Sequence, residues 1–303
     1  MDAPSGRQFE MANGAQRATV VEVGGGIREY DVDGRPVLDP YPRDAMVDGA
    51  HGAPLVPWPN RLDGGRYRFD GVEHQVPINE PSTNTAIHGL LRWRAWQPLE
   101  HATDRVVMGV RLHPMSGYPF TLDVRVEYRL GDTGLVVTTT TTNAGPDACP
   151  YGHGQHPYLS PGSGLVDACV LELDAATRVV VDAERMLPVG REAVAGTKYD
   201  FRGGARIDDA VIDAAYTDLA RDAYGRTWAL LTGPDGATVA FWVDSNYPFV
   251  QLFTGDTLAP GRQRRGLACE PTTCPPNAFA TGEHLIRLPP GGSHTASWGV
   301  GLR

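Results

Sequence analysis

The sequence predicts an all-β protein built as one large antiparallel, sandwich-like domain. Three observations carry this. Apolar and polar residues alternate with period two through most of the chain, Asp-Gly and Pro-Asp-Gly steps separate the alternating runs, and no run of helical period exceeds about three turns. "ATVVEVGGGIREYDVDGRPVL" (18–38) alternates and turns at an Asp-Gly, with its three glycines read as a bulge or bend between strands. "RYRFDGVEHQVPI" (66–78) repeats strand, Asp-Gly, strand. "FTLDVRVEYRLGDTGLVVTTTTTNAG" (120–145) is a long hairpin with a threonine-rich second arm, and "TWALLTGPDGATVAFWVDS" (227–245) is another. "HLIRLPPGGSHTASWGVGL" (284–302) reads as a closing hairpin, and "DDAVIDAAYTDLARD" (208–222) as room for one short helix. The 36 glycines and 25 prolines are spread throughout, so they punctuate strands and mark no linker. We expect a loose tail over residues 1–8 and one domain over 9–303.

Composition narrows the function classes. The chain has 303 residues, 21% charged, with a net charge of -9, and its one basic cluster is the short "GRQRRG" at 261–266. Such a surface repels nucleic acid. No run of about 18 apolar residues would span a membrane. The first sixteen residues lack the basic and apolar regions of a secretory signal, and a cytoplasmic protein is expected. Cys149, Cys169, Cys269 and Cys274 form no CxxC pair, so buried reduced thiols are expected, with no metal centre. Elbow, phosphate-loop and dinucleotide fingerprints are all missing from the sequence.

Polar residues among turn formers mark the candidate chemistry. "GLACEP" ends an apolar strand in Glu270; burial there would raise its pKa toward that of a general base. The alternative is a strand-end carboxylate paired with a surface arginine. In "GHGQHPYL", Pro157 biases His156 to an extended backbone, suited to a fixed acid or to a hydrogen-bonded core histidine. His153 and His156 have a metal-like spacing, but the surrounding glycine and proline deny the helix it needs. His88 precedes Gly89, where backbone can approach a ligand closely, or it caps a turn. Asn60 and Arg61 follow "PWP"; the planar guanidinium suits hydroxyls, a carboxylate or a surface ion pair. Asp213 could accept sugar hydroxyls or cap the short helix, with Asp208 and Asp209 competing. Trp58, Trp93 and Trp96 could pack a sugar face or fill the core.

Six of these stretches, in this order, resemble the aldose 1-epimerase (mutarotase) family over nearly the whole chain. They are "PNRLDGGRYRFDGVEHQVPINE", "NTAIHGLLRWRAW", "GHGQHPYLSPG", "IDAAYTDL", "YPFVQLFTGD" and "LACEPTTCPPNA". The resemblance implies a galactose mutarotase-like β-supersandwich with a monosaccharide cleft, no cofactor, and a monomer or homodimer. It also implies roles: Glu270 as general base at the anomeric hydroxyl, His156 as general acid at the ring oxygen, His88 as a donor near that oxygen, and Asn60, Arg61 and Asp213 as holders of the sugar. The chain departs from the galactose-type pattern at Gln155, where those members carry Asn, and at Asn277, where they carry Asp. Relatives acting on anionic hexoses need extra cations, for which Arg92, Arg94, Arg262, Arg264 and Arg265 are available. A carbohydrate-binding protein without chemistry, and a hydrolase or lyase on a similar sandwich, are the other classes. The latter wants two carboxylates about 5–10 Å apart.

Overall fold

Two antiparallel sheets face each other across one apolar layer in the computed structural model, which describes residues 3–160, 162 and 164–303. The larger sheet runs, in spatial order, Gln8–Asn13, Gln16–Val21, Ile27–Val32, Arg35–Leu38, Tyr158–Leu159, Leu267–Thr272, Phe249–Phe253, Asp213–Leu219, Ala175–Val181 and Pro188–Ala193. Two short strands, Gly154–Gln155 and Pro54–Leu55, branch from Leu267–Thr272. The other sheet runs Gln97–His101, Arg105–Leu112, Leu122–Gly131, Gly134–Asn143, Ser293–Leu302, Thr238–Val243, Thr227–Thr232, Val170–Leu173 and Ala205–Arg206.

The period-two pattern decides which face goes inward. Along Leu122–Gly131, Leu122, Val124, Val126, Tyr128 and Leu130 are buried, while Arg125 and Arg129 face water. This strand pairs with Gly134–Asn143 from Leu122↔Asn143 to Gly131↔Gly134. Thr139 and Thr141 point into the core, and Thr138, Thr140 and Thr142 share hydroxyl hydrogen bonds with Ser297, Thr295 and Ser293. Both residues of the Asp33-Gly34 and Asp70-Gly71 turns have positive φ, as two-residue hairpin turns require. Gln155 crosses between the sheets: its amide donates to the Tyr128 hydroxyl and its carbonyl accepts from the Trp298 indole. Trp58 and Trp96 are buried core residues and Trp93 is exposed.

Three expectations are corrected. Residues 213–219 form a strand and no helix. They lie between Phe249–Phe253 and Ala175–Val181, whose edges offer a ladder that a short amphipathic helix could not match. Residues 284–302 do not fold back on themselves. Ile286–Leu288 pairs with Cys149–Tyr151, and Ser293–Leu302 runs between Gly134–Asn143 and Thr238–Val243. Nor is the stretch from Ala3 to Gln8 loose. Ser5 is buried, its carbonyl accepts from Val23 N–H, and the Arg7 carbonyl accepts from Glu22 N–H. Residues 1 and 2 of the expected tail lie outside the described residues.

Candidate active site

Four neighbouring strands of the larger sheet, with the turns beside them, build the floor of a cleft of about 420 Å³. Glu270 sits on Leu267–Thr272, buried on both faces, directly opposite Gln251 of the next strand. Asp213 opens the strand beyond and opposes Phe253. His156 lies between two short strands, and its backbone is held by the turn before Pro54: Gly52 N–H donates to His156 O and His156 N–H donates to Ala53 O. Arg61 and Ile87 are partners in a two-stranded ribbon, which brings Asn60 beside His88. The turn there is tight. His88 and Asn60 have positive φ, and a Cβ on Gly89 would lie 2.0 Å from Val56 O, so glycine is required.

The side chains converge. His156 Nε2 lies 3.3 Å from Glu270 Oε1, and both residues are buried. The His88 ring stands edge-on to His156, with centroids 5.3 Å apart. His88 Nδ1 accepts from Asn60 N–H at 3.2 Å, so a neutral His88 carries its proton on Nε2. The Arg61 guanidinium donates twice to Glu80, at 2.7 and 2.9 Å, and lies 3.8 Å from Asp213 Oδ2. Gln251 donates to Asp213 Oδ1 at 2.6 Å.

Burial dominates the electrostatics. Desolvation, then the neighbouring Asp213, raise the Glu270 carboxyl well above its ordinary value, while Arg61 pulls it back. Desolvation, helped by His51, pushes His156 down to about 3. His88 is pushed well below its ordinary value by burial, then by His156, Arg92 and Arg61. Burial also raises Asp213, against Arg61 and Gln251. Burial works to lower the Arg61 pKa, but the hydrogen bond to Glu80 and the Asp213 and Glu80 charges outweigh it and raise it.

All six sequence candidates, Glu270, His156, His88, Arg61, Asn60 and Asp213, line this one cleft. His153 does not. Its Nδ1 and Nε2 meet the Tyr151 and Tyr247 hydroxyls in the core. Among the described residues, no group of three or more His, Cys, Asp or Glu could hold a metal ion. The four cysteines are buried and unpaired. Of the candidate cations, only Arg92 lines the cleft. Arg94 is exposed, Arg262 binds Asp39, and Arg264 binds Asp167 and Asp256. Asn277, in place of an aspartate, accepts from Asp63 N–H and donates its own N–H to Arg61 O, so it props the Arg61 strand. Sequence reasoning missed Glu80 as a partner of Arg61, although Glu80 closes the quoted "PINE" stretch. Alone it reads as a surface charge, and only the ribbon register brings it to Arg61.

Comparison with known proteins agrees with this architecture. The family model described as aldose 1-epimerase matches residues 7–300. The chain is 38% identical over 291 residues to the uncharacterized protein YihR of Escherichia coli strain K12, covering 96% of this chain and 91% of that one. Among solved structures, a putative aldose 1-epimerase from E. coli K12 aligns with TM-score 0.83 at 22% identity, covering 98% of this chain and 99% of that one. An aldose epimerase homologue from Caenorhabditis elegans aligns with TM-score 0.85 at 19% identity, covering 98% of both. The galactose 1-epimerase of Lactobacillus acidophilus aligns with TM-score 0.80 at 20% identity, covering 97% and 93%. At these identities the structural matches speak for the fold, a galactose mutarotase-like sandwich of antiparallel sheets. With the family model spanning nearly the whole length, the chain belongs to the aldose 1-epimerase family.

Proposed function

We propose that this protein interconverts the α and β anomers of a hexose by acid–base ring opening, without a cofactor. The observation that carries the reading is the buried His156–Glu270 pair, 3.3 Å apart on the floor of a cleft rimmed by hydrogen-bonding groups. Glu270 carboxylate takes the proton of the anomeric hydroxyl while His156 imidazolium gives one to the ring oxygen. The C1–O5 bond breaks, its electrons stay on O5, and C1=O1 forms. Rotation about C1–C2 followed by the reverse transfers closes the other anomer. The pair holds one proton fewer on His156 and one more on Glu270 after opening, so its total is unchanged. Burial favours that neutral arrangement, which is the one that meets the open-chain aldehyde. Arg61 favours the ionised arrangement that meets the closed ring. His88 lines the cleft, and among the described residues its Nε2–H has no hydrogen-bond partner, so it would donate to the sugar. Arg61, Asp213 and Asn60 line the same cleft and would hold hydroxyls.

Polarimetry of freshly dissolved α-glucose and α-galactose tests this. Wild type should speed the approach to anomeric equilibrium, and Glu270→Gln and His156→Gln should each lose about 10²–10⁴-fold in kcat. No acceleration of either sugar by wild type would sink the neutral-hexose reading.

A second reading, epimerisation of an anionic hexose, is favoured by Arg92. It lines the cleft, and its buried Nε has no hydrogen-bond partner among the described residues. An anionic substituent in the cleft would pair with the Arg92 guanidinium, which has no ion-pair partner among the described residues. Inhibition by sulfate or phosphate at low ionic strength, abolished in Arg92→Met, would favour this reading; indifference would remove it.

A further inference from the structure

A general-acid histidine is ordinarily oriented by a hydrogen bond at its second ring nitrogen. His156 has none from another residue: among the described residues its buried Nδ1 meets only its own backbone. What touches the ring instead is a column of aromatic faces. Tyr158 stacks on His156, with centroids 4.9 Å apart and planes 16° from parallel. The His51 ring in turn stacks on Tyr158 at 3.7 Å and 6°. All three residues are buried.

The far end of the column is anchored. His51 Nδ1 donates to Asp48 O at 2.9 Å. His51 Nε2 lies 3.2 Å from Asp39 Oδ2 and 3.1 Å from an Arg262 nitrogen. Arg262 itself donates to Asp39 at 3.0 Å and to Pro40 O at 3.0 Å. The middle ring is pinned too, because the Tyr158 hydroxyl donates to Gly49 O at 2.9 Å. His51 also belongs to the turn whose Gly52 and Ala53 hold the His156 backbone. One turn therefore fixes both the main chain of His156 and the stack behind its ring.

We propose that Tyr158, backed by His51, is the positioning residue for His156, doing with a ring face what a carboxylate does at the second nitrogen elsewhere. The chemical difference is in charge. A carboxylate at Nδ1 would stabilise the imidazolium and weaken it as an acid. A stacked ring sets the imidazole plane and adds no charge, which leaves a strong acid once the ring is protonated. The low pKa of His156 agrees with this environment. Asp39 and Arg262 hold His51, and the Asp39 charge also reaches Tyr158.

This proposal rests on the reading of His156 as the acid, so the test has an arm that does not need activity. Anomer exchange would be measured for Tyr158→Leu, Tyr158→Phe, His51→Leu and His51→Phe, beside histidine ring NMR with His156→Gln as the assignment control. The ring-keeping variants should retain at least a third of wild-type kcat. Tyr158→Leu should lose about 10–100-fold in kcat with KM within threefold, and His51→Leu about tenfold. In wild type the His156 ring protons should be shifted upfield by the Tyr158 face, and Tyr158→Leu should remove the shift. If Tyr158→Leu does not fold, His51→Leu carries the same comparison through a broadened His156 resonance. Equal losses in Tyr158→Phe and Tyr158→Leu would overturn the proposal in favour of the Gly49 hydrogen bond. An unshifted His156 ring in wild type would overturn it whatever the activity. If wild type exchanges no anomers but the ring shift behaves as expected, the acid role fails while the column stands.

Discussion

His156 Nε2 and Glu270 Oε1 lie 3.3 Å apart, both residues buried on the cleft floor, though they come from segments more than a hundred residues apart in the chain. Two titratable groups at this distance in a buried site share protons and do not titrate independently. They should therefore act as one unit in catalysis. The double variant Glu270→Gln/His156→Gln should be no slower than the worse single variant by more than about tenfold, where independent groups would multiply their losses of about 10²–10⁴ each. Polarimetric rates of the three proteins decide it, and multiplicative losses would show two separate contributions.

Glu270→Gln should raise the melting temperature, and more at pH 8 than at pH 5. An unfolded glutamate ionises through about pH 4.3. Burial and then Asp213 hold the folded carboxyl well above that. Folding therefore carries a penalty that is absent below the unfolded pKa and grows as pH rises toward the folded one. Glutamine removes the penalty along with the activity. About 2–4 °C per kcal/mol is the scale for chains of about 150–250 residues, and a chain of 303 residues should shift somewhat less. Thermal scans at the two pH values test it; an equal shift at both would rule out ionisation as the cause.

His153 should make the fold acid-sensitive. The Tyr151 hydroxyl donates to Thr141, so toward His153 Nδ1 it accepts, which leaves Nε2 to accept from the Tyr247 hydroxyl. A neutral imidazole fits this network. Burial, and then His294, hold its pKa well below the ordinary value. Stability is thus present above the unfolded pKa of about 6.5 and lost as pH falls toward the folded value. Denaturant titrations from pH 7 to 5 should show His153→Gln with a slope of stability against pH smaller by up to about 1.4 kcal/mol per pH unit. An unchanged slope would mean that His153 does not carry the effect.

Glu80→Gln should loosen Arg61. Two hydrogen bonds, at 2.7 and 2.9 Å, hold the guanidinium in one plane. Losing the charge of this half-buried pair should cost about 1–3 kcal/mol of stability. It should also raise KM about tenfold while kcat falls less, since Arg61 sits on the rim and not at the acid–base pair. Steady-state kinetics separate the two, and a fall confined to kcat would contradict a holding role.

Gly89→Ala should cost roughly 2 kcal/mol or more. Its φ is +69° and the new Cβ would press on Val56 O. Because the same turn sets His88 against Asn60, the surviving protein should also lose activity. Thermal unfolding beside polarimetry checks both.

Much of the architecture was legible in the chain because strands leave a local mark. Period-two burial in Leu122–Gly131 and paired positive φ at Asp33-Gly34 follow from side-chain alternation and turn chemistry alone. The failures share a cause. Residues 208–222 carry enough alanine and aspartate for a helix, and only the two strands beside them make residues 213–219 extended. Residues 284–302 read as a hairpin because each half alternates, but their partners lie far away in sequence. Among site residues, Glu270, His156 and His88 stood out because a polar group among apolar residues or glycines needs a reason. Glu80 looked like an ordinary surface charge, and nothing local set Arg92 apart from the four other candidate cations.

By itself, the sequence determined the β character of the protein, its main hairpins, the family resemblance and the six residues that now line one cleft. The β character and the hairpins depend on local patterning and residue chemistry, and the choice of the six residues rests on the family resemblance. Only the tertiary structure decided the distance between His156 and Glu270, the proton placement on His88, the partner of Arg61 and the ring stack behind His156. Each of those depends on strands and turns distant in sequence meeting in a shared low-dielectric space, where separation and desolvation set proton affinity and neither is written in any local stretch.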